Sequence, residues 1–257
     1  MKSREQEVIV AFVDYLGTLN GDSKLSVDRW PDKENRTEPE IDAIAGDIAI
    51  EHTSIDSVAN QRKLDDWYLQ VVKDLDQVIR ECVDGGLVIT LDFFAIGKGM
   101  DWNRIRADFR SWIVDCAPSL GNGFHEEIIL PTSKPTEFPI VMSVWKKTAP
   151  STVGFARFDP KDDTLPLRIR NLLDRKAKKL RKYQESSSKT IILLENDDIA
   201  LMNEAKMLDA LREAYPDGLP LGVNEIWFAD TSISDNPQFY DFTAKLVNKG
   251  CLPSPAR

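Results

Sequence analysis

The chain has 257 residues, enough for a sizeable hydrophobic core in one large domain or two small ones. With 42% hydrophobic and 29% charged residues it has the composition of an ordinary globular protein and not of a disordered one. A formal net charge of -9 argues against a protein that coats nucleic acid over its whole surface, while leaving room for a local basic patch that binds phosphate.

The three cysteines, Cys82, Cys116 and Cys251, are scattered and odd in number, which suits a reducing compartment and gives no zinc spacing. Only two histidines are present, His52 and His125, so a His-rich metal cage is excluded. The stretch MKSREQEVIVAFVDYLGTL carries acids where a signal peptide needs a basic region and a plain apolar run. No window of about 18 apolar residues exists to span a membrane. These features predict a cytoplasmic protein with no membrane association.

In chain order, residues 4–19 place Val8, Ile9, Phe12, Tyr15, Leu16 and Leu19 at helical spacing, and Asn20-Gly21 ends that helix. A short strand is predicted over 25–30, then a loop, PDKENRTE. Strands over 41–45 and 47–53 meet at Gly46-Asp47 as a tight hairpin. One long helix is predicted over 57–82, with Leu64, Trp67, Tyr68, Val71, Leu75 and Val78 on its stripe, then a buried strand in LVITLDFFAI. A helix over 102–116 follows, and then strands in EEIIL, PIVMSVWKK and TVGFARF separated by Pro-containing turns. A basic helix over 166–185, an apolar strand TIILLEN, a helix over 203–215, a strand VNEIWFAD and a frayed CLPSPAR complete the chain. No repeat or long linker divides it. The interleaving predicts one α/β domain over 1–257 with a mixed sheet and an inserted antiparallel section around 124–158.

The hairpin PEIDAIAGDIAIEHTS, residues 39–54, contains the informative residues. A carboxylate inside an apolar strand costs several kcal/mol unless it is paired or holds a cation. Strand alternation sets Asp47, Ala49, Glu51 and Thr53 on one face, opposite Ile48, Ile50 and His52. If Ala45 faces Ile48 across the turn, Asp42 pairs near Glu51. Two carboxylates that close repel, and a divalent cation is the usual remedy. Mg²⁺ (or Mn²⁺) suits such a pair, because it takes one or two carboxylates plus waters and phosphate oxygens.

With Pro39, an acid opening a strand, a hairpin and a second acid, PEIDAIAGDIAIEHT resembles the core of the PD-(D/E)XK nuclease superfamily. Asp42 matches the first acid and Glu51 the second, His52 stands at the variable position, and Thr53 stands where the superfamily has its catalytic lysine. The resemblance covers mainly residues 1–95, with a looser echo in the basic helix and the last strands. It implies a restriction-endonuclease-like three-layer core with a central mixed β-sheet flanked by helices. It also implies a metal-dependent nuclease acting on nucleic acid, DNA in the first instance, with a homodimer supplying two sites. Thr53 carries no positive charge, so either activity is lost and the fold serves as a binding or assembly module, or another lysine enters the site.

The basic helix offers that lysine. Its apolar face runs Ile169, Leu172, Leu173, Leu180 and Tyr183, and Lys176 falls on the same stripe. A lysine there either snorkels to water or takes a carboxylate partner, and Asp42 with Glu51 is the partner to hand. Lys179 is the second choice. Asp42, Glu51, Lys176 and Lys179 are thus the candidate catalytic set. The resemblance implies a third acid on the first helix, for which Glu5, at the end of the apolar stripe, is the candidate beside Asp42 and Glu51; Glu7 points to solvent. The run RKAKKLRK reads as a solvated face that in a nuclease would meet nucleic-acid backbone through Lys178, Arg181 and Lys182. His52 reads as a core residue and ENDD at 195–198 as a loop of solvated acids. A third class, an interaction protein using its acidic surface to meet a basic partner, remains open at this point.

Overall fold

The structure, a computed structural model, describes residues 3–22, 24–35, 37–132, 139–149 and 153–247. The chain divides into two compact units, Met1–Ala59 with Asp163–Arg257, and Asn60–Asp162 inserted between them. The insertion is therefore larger than the section at 124–158 that the sequence suggests, because it begins with its own helices and has its own core.

The first unit opens with α1 (Arg4–Asn20), started by a capping box between Ser3 and Gln6 and stopped by Gly21 in the left-handed region at φ 68°. Its buried stripe is Val8, Ile9, Phe12, Val13 and Leu16. The strand predicted over 25–30 reduces to one antiparallel bridge between Arg29 and Ile44, and the following loop begins as a short helix, α2 (Pro31–Glu34). β1 (Ala43–Ala45) and β2 (Ile48–Ser54) form the predicted hairpin, with Gly46 at φ 58°, a conformation that favours glycine.

In the second unit the helix predicted over 57–82 is two helices, α3 (Gln61–Val72) and α4 (Leu75–Cys82). They break at Asp74, which takes φ 63°. The apolar stripe survives the break, since Val71, Leu75 and Val78 all stay buried, and periodicity alone cannot register it. β3 (Gly86–Leu91), α5 (Trp102–Asp115), β4 (Gly123–Ile129), β5 (Val141–Lys147) and β6 (Val153–Arg157) complete the unit. Its sheet has the order β4-β5-β3-β6, with β3 antiparallel to β5 and parallel to β6. β3 thus belongs to this sheet and not to that of the hairpin, which corrects the single central sheet expected from sequence.

The chain returns to the first unit with α6 (Leu165–Leu180), continued by a 3₁₀ turn over Arg181–Tyr183, then β7 (Lys189–Asn196), α7 (Glu204–Ala214), β8 (Glu225–Asp230), β9 (Gln238–Asp241) and α8 (Thr243–Val247). This sheet has the order β1-β2-β7-β8-β9; β2, β7 and β8 are parallel and the outer strands antiparallel. Ile192, Leu194, Ile226 and Phe228 pack toward α6 and α7, while Ile191, Leu193, Trp227 and Ala229 pack toward α1. Burial on both faces explains why TIILL reads as an unbroken apolar run. The first unit is thus a mixed sheet between two helical layers, and the whole chain is mixed α/β. CLPSPAR lies outside the described residues. Among the described residues no helix is long and apolar enough to cross a membrane.

Candidate functional site

The hairpin register sets the two acids side by side. Ala43 pairs with Ile50 and Ala45 with Ile48, so Asp42, one residue before β1, stands opposite Glu51 on the same face. Asp42 is 7% exposed and Glu51 0%. The ladder stops at Asp42. The Ile41 carbonyl accepts from Asp32 N–H at 3.2 Å, and the N–H of His52 donates to Asp42 Oδ2 at 2.7 Å. A side-chain carboxylate thus replaces a backbone acceptor, which fixes Asp42 to the strand that carries Glu51.

α6 packs on this face of β2, and its N-terminal prolyl turn and buried stripe decide which side chains point there. The stripe runs Leu165, Ile169, Leu173, Ala177 and Leu180, so the core position taken for Lys176 belongs to Ala177. Lys176 flanks it, and from there its chain leans to the carboxylates. Its Nζ lies 2.6 Å from Glu51 Oε1 and 3.8 Å from Asp42 Oδ2. Lys179 Nζ reaches the same Glu51 oxygen at 2.8 Å and donates to the Glu40 carbonyl at 2.9 Å. Both candidate lysines therefore meet the acids.

Burial, and then the charge of Glu51, push the Asp42 carboxyl up to about 6, against the pull of Lys176 and the His52 N–H. Lys179 is held above its ordinary value: burial opposes its charge, and the hydrogen bond and charge of Glu51 overcome that penalty. Glu51 Oε2 is buried and, among the described residues, has no hydrogen-bond partner. A bare carboxylate oxygen in the interior is costly, and a donor or a cation would complete it.

The opposite face of the hairpin carries a second charged cluster. His52 Nε2 lies 2.9 Å from Glu195 Oε2, and Nδ1 lies 3.5 Å from Glu5 Oε1. Thr231 Oγ1 donates to Glu195 Oε1 at 2.7 Å, and Arg4 Nε approaches the same oxygen at 3.5 Å. Burial of His52 opposes its charge, but the hydrogen bonds to Glu195 and Glu5 outweigh it and raise the ring to about 9. His52 is buried, as its apolar neighbours suggest, yet a carboxylate lies at each ring nitrogen and favours the charged form.

Glu5 therefore turns to His52, while lying near enough to Asp42 and Lys176 for their charges to interact. Glu195 corrects the sequence reading of a solvated loop: it is the penultimate residue of β7, 5% exposed. Leu193 aligns with His52, so continuing the alternation by two residues puts Glu195 on the imidazole side. That alternation was the available signal. Glu7 lines a cleft with Arg4 and Asp197. His125 bonds the Gly121 carbonyl at 2.8 Å and takes no part in either cluster.

Lys178, Arg181 and Lys182 are exposed on α6 and its 3₁₀ extension. Arg181 Nε donates to the Leu221 carbonyl at 2.9 Å, and Lys182 lies 3.8 Å from Glu38. Thr53, buried two residues beyond Glu51, contributes no charge. Among the described residues no group of three or more His, Cys, Asp or Glu is arranged to hold a metal ion, so the donors on offer are the oxygens of Asp42 and Glu51. Compared with known proteins, the chain matches no family model, no curated protein and no solved structure.

Proposed function

We propose that the chain is a metal-dependent phosphodiesterase acting on nucleic acid, with DNA as the expected substrate, built on a restriction-endonuclease-like core. The observation that carries this reading is Glu51, fully buried, with two ammonium groups on Oε1 and, among the described residues, no hydrogen-bond partner on Oε2. A purely structural ion pair has no use for a bare second oxygen. The order α1, hairpin, α6, β7 is what supports the fold reading; the helices and strand after residue 60, on which the resemblance over 1–95 also counted, belong to the inserted unit, and the strand at 25–30 is a single bridge.

Asp42 and Glu51 fit Mg²⁺ or Mn²⁺, which accept two carboxylates and fill the remaining positions with water and phosphate oxygens. Bound there, with Glu5 close by, the ion would supply Lewis-acid polarisation of the phosphate and an acidified water. The protein's own groups do the rest. Lys176 offsets negative charge on the phosphoryl oxygens, the role that the resembled family gives to a lysine where this chain has Thr53. Lys179, tied to the Glu40 carbonyl, holds Glu51 through Oε1. The His52 N–H fixes Asp42. Lys178, Arg181 and Lys182 would contact the backbone of the nucleic acid, and a homodimer would deliver two such sites. A cytoplasmic location suits this work.

Supercoiled plasmid incubated with the purified chain and Mg²⁺ or Mn²⁺ tests the proposal. Nicking that disappears in Glu51→Gln and Lys176→Met supports it, and intact plasmid with either metal sinks it. One observation favours an inactive binding or assembly module on the same fold: the two lysines neutralise Glu51 without any metal. Calorimetry decides between the two. Mn²⁺ binding that Asp42→Ala leaves unchanged would favour the inactive module.

A further inference from the structure

The sheet of the second unit has two unlike faces. Leu87, Ile89, Met142 and Val144 lie in the core with the buried side chains of α4 and α5. Alternation sends their neighbours to the opposite face, where the register aligns them in rows. One row crosses all four strands, from Phe124 through Trp145 and Val88 to Gly154. The next row sets Ser143 beside Thr90, a floor of small hydroxyl side chains. Phe124 is 57% and Trp145 49% exposed, and among the described residues neither ring packs on another aromatic ring. Lys147 Nζ lies 3.6 Å from the centroid of the Trp145 ring. A Cβ on Gly154 would meet no atom within 4 Å, so the row ends in open space.

We propose that this sheet face binds single-stranded nucleic acid, with one base on Phe124, the next on Trp145 and a phosphate at Lys147. The size of the face favours that occupant. From Lys147 to Val141 it measures about 20 by 14 Å, on the order of 300 Å². A stable interface with a second copy buries about 800 Å² on each partner, well beyond this platform. The Ser143 and Thr90 hydroxyls also interrupt the apolar centre that such an interface needs. Two or three nucleotides fit, because unstacked bases lie flat on aromatic rings, hydroxyls meet base edges and a lysine meets the backbone charge. A duplex keeps its bases stacked inside and has no use for the rings. Glu126 and Glu127, exposed at the irregularity in β4, repel phosphates from that edge and leave the backbone to pass Lys147. The assignment rests on the nucleic-acid reading above for its choice of polymer, and not on cleavage.

Fluorescence anisotropy of a labelled oligothymidylate and of a labelled duplex, each titrated with the full chain without metal, tests the proposal. Trp145→Ala and Phe124→Ala should each weaken single-strand binding about tenfold, the effect of losing one stacked base, and leave duplex binding unchanged. Trp145→Phe, which keeps a ring, should recover most of the lost affinity. Both side chains are exposed, so the variants should unfold at the wild-type temperature. Wild-type single-strand affinity in Trp145→Ala overturns the proposal, as does an equal loss for duplex and single strand. Sedimentation that shows a dimer in the wild type and a monomer in Trp145→Ala also overturns it, since a second copy then covers the face. No cleavage enters the measurement. Plasmid left intact by a chain that passes this test sinks the phosphodiesterase reading alone, and nicking by a chain that fails it sinks the platform alone.

Discussion

Lys176 and Lys179, three residues apart on α6, converge on a single oxygen of Glu51, at 2.6 and 2.8 Å. Their contributions to stability are therefore coupled. Replacing either with Met leaves the other on the carboxylate and costs about 1–2 kcal/mol. Replacing both strands a buried carboxylate and costs about 3–5 kcal/mol, more than the sum of the single changes. Urea denaturation of the four proteins at pH 7 measures the cycle, and additive losses would mean that the two ammonium groups act independently.

Asp42 makes the site pH-sensitive in a direction opposite to most carboxylates. Its folded value of about 6 lies above the ordinary 3.8, so its contribution to stability is full below the ordinary value and is lost as pH rises through about 6. A cation needs the ionised form, so Mn²⁺ binding should weaken as pH falls below about 6 while the fold gains stability from this group. Calorimetric titrations from pH 5 to 8 (roughly the span in which this carboxyl changes state) check the relation. Affinity independent of pH would remove Asp42 from the ligand set.

His52 contributes in a different window. Its folded value of about 9 exceeds 6.5, so the stability it adds is fully present below 6.5 and disappears as pH rises through 9. The effect is on the order of 3 kcal/mol, and His52→Gln should flatten the stability profile over that interval. A wild-type profile that is already flat there would mean a neutral imidazole.

The hairpin was legible because a two-residue turn fixes its register, and a slip by one residue would turn Ile48 and Ile50 out of the α1 core. The C-terminal end of α1 was legible in Asn20-Gly21, and Lys176 was found because α6 shows its apolar face to within one helical step. What was hidden was partnership at a distance. LVITL reads as a buried strand, yet nothing in it says that β5 and β6 are its neighbours and β2 is not. Glu195 reads as a loop acid until its partner His52, 143 residues away, is known. The displacement of Lys176 to the flank of the stripe is a matter of one helical step, finer than a pattern with both Leu172 and Leu173 can fix.

In the second unit Lys146 is 7% exposed, and its ammonium donates to the carbonyls of Ala117, Pro118 and Leu120 at 3.1, 2.7 and 2.8 Å. These carbonyls belong to the turn that ends α5, where a cation also meets the negative end of the helix dipole. Lys146→Met takes the ammonium from three carbonyls, one buried and two partly buried, and should cost about 1–3 kcal/mol. Thermal unfolding checks it, and a loss within about 0.5 kcal/mol would mean that water replaces the ammonium without penalty.

The basic face of α6 makes a prediction separable from chemistry at the hairpin. Each phosphate contact steepens the fall of log affinity with log salt by about 0.9 for duplex DNA. Arg181 is a poor probe, since it also holds the Leu221 carbonyl and packs against Gly222. Lys178 and Lys182 are better, because both are exposed and Lys182 has only a 3.8 Å approach to Glu38 to lose. Lys178→Ala with Lys182→Ala should reduce the slope by about 1.8 and leave Mn²⁺ affinity at Asp42 and Glu51 unchanged. Fluorescence anisotropy of a labelled duplex from low to moderate salt measures that slope. A slope identical to wild type would place this helix outside the nucleic-acid interface, and the cations would then serve only to keep the acidic chain's surface charge in balance.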